Sequence, residues 1–176
     1  GVLLNDSVFT SNIFWVSTLQ LQSSSLSIAD LTGIGGFNAL TFLNCNNQQL
    51  TSLDVSQNTA LTELYCSNNQ LTSLDVSNNL ALNQLGCADN NLTSLDVRNG
   101  QSFTSGFGIG ISFRTLGNPN LFCINVDVNF SQNTNWNYID SWTSFSTNCA
   151  TAFGCTDSLA CNYDPTATID DSSCTY

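Results

Sequence analysis

The sequence predicts a mainly β protein, a solenoid of short parallel strands closed at its C-terminal end and followed by a small cysteine-rich tail. Three observations carry this. A unit of 21 residues recurs through the middle of the chain, with Cys45, Cys66 and Cys87 at the same place in successive copies. Each copy sets apolar residues at strand spacing, such as Leu64 with Cys66 and Leu74 with Val76, and leaves no room for a full helix on the return side. A unit this short cannot bury its own apolar face, so copies must stack on one another.

The elements follow in chain order. Residues 1–27 form a β-prone segment and a degenerate rung, with apolar patches at Val8, Phe9, Phe14 and Trp15. Leu19, Leu21, Leu26, Ile28, Leu31, Ile34, Phe37 and Leu40 spread over one or two imperfect rungs. The solenoid proper spans 28–126. Its repeat reads L-x-x-L-x-C-x-x-N-x-L-T-S-L-D-V-S-x-N, and Leu61 to Val76 is the clearest copy. Each coil should run strand, turn, short extended segment, turn. Gln48, Asn69 and Asn90 hold the turn position, where an amide can bond to the backbone of the next coil. From Phe107 to Phe113 bulky residues alternate with Gly and Ser, as in a strand with one bare face. Leu121, Cys123, Ile124 and Val126 read as the last rung. Residues 127–153, rich in aromatics, should close the core, and 154–176 form a separate acidic, cysteine-rich module.

Composition bounds the function. Arg98 and Arg114 are the only basic residues against 13 acidic ones, a formal charge of −11. Nucleic-acid affinity rests on Lys and Arg against phosphate, so nucleic acid is not expected as a partner, nor is an anionic membrane surface. No apolar run approaches the roughly 20 residues that a membrane span needs. Asn, Ser and Thr cover the surface instead, an amide-rich acidic coat that points to the cell exterior. The chain opens at Gly1 without Met or a signal-like segment, as expected for a processed product or a piece of a longer precursor.

Cys45, Cys66 and Cys87 sit at apolar repeat positions on stacked rungs. Their Cβ vectors run parallel, the wrong geometry for a bridge, so three buried free thiols are expected. Cys123, Cys149, Cys155, Cys161 and Cys174 lie in polar, turn-rich sequence and look like disulfide partners in an oxidising compartment. Five is odd, so one is left over or pairs between chains.

Two resemblances emerge from these residues. Ile28-Ala-Asp-Leu31-Thr-Gly-Ile34, the three cysteine-bearing repeats, Asn118-Pro-Asn-Leu121-Phe-Cys123-Ile124-Asn-Val126 and Asn135-Trp136-Asn-Tyr-Ile139-Asp with Phe145 and Cys149 resemble the leucine-rich repeat proteins that Bacteroidota secrete, in the style of the cysteine-ladder internalins. The resemblance covers residues 28–149. It implies a leucine-rich repeat solenoid with a C-terminal cap and a Cys123–Cys149 bridge. The stretch Gly154-Cys155-Thr-Asp157-Ser-Leu-Ala160-Cys161-Asn162-Tyr163-Asp164-Pro165, with Asp170, Asp171 and Cys174, resembles a short Bacteroidota cell-surface module and implies a Cys155–Cys174 bridge. Ile169 stands near where copies carry a partner for Cys161, which leaves Cys161 unpaired or intermolecular. Relatives begin with a capping segment, which residues 1–22 do not resemble.

Catalysis has little to work with. The chain lacks His and Lys, and Glu63 is its only glutamate, so a nucleophilic Ser or Cys has no usual base. Asp54, Asp75 and Asp96 form one carboxylate per rung, either a cation-gathering ladder or turn residues accepting backbone hydrogen bonds. In the tail, Asp157, Asn162, Asp164, Asp170 and Asp171 offer hard oxygen ligands for Ca2+, against a reading in which a disulfide and side-chain turns suffice. No other cofactor is implied. The strand face carries Phe42, Asn44, Asn46, Glu63, Tyr65, Ser67, Gln84, Gly86 and Ala88, of which Phe42, Glu63, Tyr65 and Gln84 are the candidate ligand-binding residues. Ser7 and Ser158 stand in Asp-Ser-aliphatic triplets that resemble the Bacteroidota O-glycosylation motif. Two functions are expected from this set. One is a self-assembling fibre or surface-layer subunit, joined head to tail through Val8, Phe9, Phe14 and Trp15. The other is an adhesin-type module that reads a glycan or protein through the strand face.

Overall fold

The computed structural model describes residues 13–21, 27–100, 113–128 and 138–176. Among them the chain is a mainly β, parallel-strand solenoid of about five turns. The first sheet stacks β1 (Thr18–Gln20), β2 (Phe42–Asn44), β3 (Glu63–Tyr65), β5 (Gln84–Gly86) and β7 (Phe113–Arg114) in that order. The second stacks β4 (Ser73–Asp75), β6 (Ser94–Asp96), β8 (Cys123–Asn125) and β9 (Ser144–Ser146). Strand periodicity sends the middle residue of each strand inward. In register these make one column of Leu19, Leu43, Leu64, Leu85 and Phe113, and another of Leu74, Leu95, Ile124 and Phe145. Leu43, Leu50, Leu61, Leu64, Leu71, Leu82, Leu85, Leu92 and Leu95 are fully buried. Each contributes roughly 2 kcal/mol of burial, which is what holds coils too short to fold alone.

The return side holds more order than the sequence suggested. Ser73-Leu74-Asp75 and Ser94-Leu95-Asp96 alternate out, in, out and pair as true strands, rather than as unpaired extended segments. The first copy, Ser52-Leu53-Asp54, does not join them, and Leu53 is only partly buried. The coil before it turns through a 3-10 segment at Ile34–Gly36 after Gly33 at φ 93°, so extended backbone lies on only one side of it, in β4.

Two amide ladders fasten the corners. Asn69 Nδ2 donates to Cys45 O (2.9 Å) and Cys66 O (3.0 Å), while its Oδ1 accepts from Leu50 N (3.0 Å). Asn90 repeats this with Cys66 O, Cys87 O and Leu71 N, and Asn118 with Cys87 O, Thr115 O and Leu92 N. Apart from bonds to carbonyls of its own coil, each Asn bonds to the preceding coil and not, as expected, to the next. The reason lies just upstream in each turn. Asn47, Asn68 and Asp89 take left-handed φ of 56°, 56° and 53°, and Gly117 takes 82°, which swings the following amide back over the coil already laid down. At the opposite corner Asn58, Asn79 and Asn99 form a second, unforeseen ladder onto the carbonyls of the coil before.

The rung at Leu121 to Val126 is not the last. β9 follows it, and Val126 N donates to Ser146 O. Cys123 and Cys149 are bonded at 2.06 Å across this end. In the tail, β10 (Phe153–Gly154) pairs in parallel with β11 (Ile169–Asp170), and Cys155 is bonded to Cys174. Of the Phe107–Phe113 strand, only Phe113 lies within the described residues, in β7. Ser7, Val8 and Phe9 lie outside them. No helix among the described residues is long and apolar enough to cross a membrane.

Candidate functional site

On the outward side of the first sheet, aromatic, amide and charged side chains come into register on either side of the inward leucine column. Phe42, Glu63 and Gln84 lie side by side, and the next column runs Asn44, Tyr65, Gly86, Arg114. Tyr65 is the hub. Its hydroxyl lies 2.7 Å from Gln84 Oε1 and 3.1 Å from Glu63 Oε2. A phenol has one proton to give, so it donates to Glu63, and turning the Gln84 amide lets Nε2 donate to the phenol oxygen. Burial, then the Glu63 contact, push the Tyr65 phenol up to about 12, so it stays neutral and keeps its proton in this bond. The Phe42 ring packs against it with centroids 5.7 Å apart at 51°. On the other side a Cβ at Gly86 would come within 3.1 Å of Tyr65 Cδ1, so the glycine is what lets the ring lie down on the strand.

The result is a half-buried aromatic shelf whose hydroxyl is held by Glu63 and Gln84 and whose ring rests between Phe42 and Gly86. Asn44, Gly86 and Ala88, expected to be exposed, are buried instead. Asn44 Oδ1 turns to Asn46 N, and Gly86 lies beneath Tyr65. Asn46 and Ser67 are spent on the rungs above them, accepting from Ser67 N and Ala88 N. Arg114 and Tyr138 also belong to this face and escaped the sequence reading. Arg114 follows Phe113, which is 28 residues beyond Leu85 and so out of step with the repeat. The inward Phe113 was the one signal that could have placed it.

The remaining candidates resolve differently. Cys45, Cys66 and Cys87 are free and fully buried, and burial pushes the Cys45 and Cys87 thiols up to about 12 and Cys66 well above its ordinary value. They are protonated small hydrophobes with no nucleophilic character at neutral pH. Asp54 and Asp75 accept from the backbone N–H two residues on, and Asp96 does so while also pairing with Arg98. The turn reading therefore accounts for the carboxylate ladder. In the tail, Asp157, Asp164, Asp170 and Asp171 accept from Leu159 N, Thr166 N, Ser172 N and Ser173 N, while Asn162 ties Ser173 O to Thr175 N. The Tyr176 hydroxyl, then Leu159 N–H, hold the Asp157 carboxyl below its ordinary range, and bonds from the Thr166 and Ser173 side chains and backbone do the same for Asp164 and Asp171. Among the described residues no group of three or more acidic or thiol side chains is arranged to hold a metal. Cys161 is free and exposed, as is the Ser158 side chain.

No protein-family model matches this chain, and no curated protein matches it. Among solved structures it is similar to the functional domain of InlJ from Listeria monocytogenes, described as including a cysteine ladder. The identity is 27%, over 66% of this chain and 31% of that one, with a TM-score of 0.47. This chain therefore spans less than a third of that neighbour's length.

Proposed function

We propose that this chain is a non-enzymatic recognition protein of the cell exterior, reading a surface glycan or protein through the outward face of the first sheet. The observation that carries it is the Tyr65 shelf, an aromatic ring seated on a glycine, held by two polar partners and flanked by Phe42. Such a pre-set ring offers contact area with little side-chain entropy left to lose. The two disulfides fit an oxidising compartment, and a chain without His or Lys, whose repeat thiols are buried and protonated, fits a role in binding rather than turnover. Replacing Tyr65 with alanine is expected to weaken retention on a glycan and protein array at least about tenfold while the fold persists. An array that retains the wild-type chain and the Tyr65→Ala variant equally would remove the face from consideration.

A second reading, a self-assembling surface fibre, is favoured by a separate observation. Trp15 is 87% exposed and Phe14 48% exposed beside β1, the outermost strand of the first sheet among the described residues. Large bare aromatics next to an edge strand favour a second copy. Light scattering and electron microscopy should then show fibres that a Trp15→Ser variant no longer forms. Running both with calcium and with chelator also tests the tail as a calcium site, through a shift in its melting. A wild-type chain that stays monodisperse under all these conditions would sink the fibre.

A further inference from the structure

Arg114 is the one cation on the recognition face, and its surroundings name a ligand chemistry. The other arginine, Arg98, is committed to Asp96. Arg114 is half-buried at the end of β7, in the column of Tyr65 and Gly86, with its guanidinium carbon 5.5 Å from the centre of the Tyr138 ring. Its Nε is buried without a hydrogen-bond partner, and among the described residues no carboxylate pairs with it. A half-buried guanidinium with no paired carboxylate keeps its charge uncompensated, and an anion reaching its outer N–H groups compensates it. Carboxylate matches the planar fork of donors, and the stacked Tyr138 ring holds that fork in place.

We infer that Arg114 is the anion-reading residue of this face and that its ligand is an acidic sugar, a deepening that rests on the recognition reading above. Tyr65 and Tyr138 offer flat rings on which the apolar side of a pyranose can lie, and Gln84 offers an amide for its hydroxyls. A sugar is favoured over a peptide because cavities of about 310 and 290 Å³ that could seat an apolar side chain lie off this face, lined by residues 30–36, 52–54, 56, 57, 73 and 75. The formal charge of −11 repels a polyanion more strongly than a single carboxylate, which favours a sugar with one acidic group.

The test titrates the full chain with N-acetylneuraminic acid and glucuronic acid, and with the methyl ester of each, followed by chemical-shift changes. The acids are expected to bind about tenfold or more tightly than their neutral esters, and to weaken as salt is raised. The Arg114→Gln variant should bind the acids no better than the esters. The ester arm uses the unaltered chain, so it stands even if that variant folds poorly. Equal binding of acid and ester overturns the inference, as does acid binding that survives Arg114→Gln, or preference for a free peptide C-terminus. If Tyr65-dependent retention on an array persists alongside any of these, the recognition reading stands and only the role of Arg114 falls. If that retention is missing too, both fall.

Discussion

Replacing Asn90 with alanine is expected to destabilise the solenoid by about 3 kcal/mol, a large share of the stability a domain of this size holds. The side chain supplies the acceptor for Leu71 N, so its loss orphans a buried backbone donor. Cys66 O and Cys87 O each lose one of two donors, keeping Asn69 and Asn118 respectively. The companion change, Asn79→Ala, should cost only about 1 kcal/mol. Its Nδ2 donates to Val55 O and Asn58 O, but both carbonyls also accept from backbone N–H groups, and its Oδ1 has no partner to lose. Denaturant midpoints for the two variants decide the matter. If they fall together, the orphaned Leu71 N–H is not what makes the first ladder matter.

Removing the Cys123–Cys149 bridge, by alanine at both positions, is expected to cost about 3.5 kcal/mol from the freed unfolded chain alone. The loop it closes joins residues 26 apart in sequence. The loss should also be local. Among the described residues β9 pairs with β8 alone, and the bonds there include Val126 N on Ser146 O, Ser144 N on Phe122 O and Cys149 N on Asn125 Oδ1. Hydrogen exchange should therefore rise at the Val126 and Ser144 amides, while Leu64 and Leu85, deep in the stack, slow down exchange as before. Opening the Cys155–Cys174 bridge should instead loosen only the tail strands β10 and β11. Unchanged protection at Val126 in the first variant would show that β9 is held by packing and not by the bridge.

What the sequence disclosed and what it hid follow from the range of the forces involved. Cys45, Cys66 and Cys87, and the leucines around them, are spaced by the stacking itself, so their period exposes the inward columns directly. The second sheet was half legible, since Leu74 and Leu95 were placed inward but their strand pairing depends on what lies on the preceding coil. The two amide ladders divide in the same way. An Asn in a turn announces a corner, but whether it reaches forward or back depends on the left-handed residue before it, and that choice is made by contacts rather than by composition. The outward face of the first sheet shows the limit most clearly. Tyr65 and Gln84 were visible as outward residues, whereas the burial of Gly86 depends on where a neighbouring ring lies down. Arg114 and Tyr138 fall after the period breaks, where counting no longer assigns a register.

That break has a consequence of its own. Leu64 pairs with Leu85 and Ile124 with Phe145 at 21 residues, yet Leu85 meets Phe113 at 28 and Leu95 meets Ile124 at 29. Most of the extra residues fall between Leu95 and Phe113, and both sheets resume in register on the far side. Lengthening a connection between stacked coils costs only the slowly growing entropy of closure. In evolutionary terms this connection is where the lineage could add sequence without re-solving the fold. For an engineer it is where a foreign segment could be carried on a coil that continues to stack beneath it.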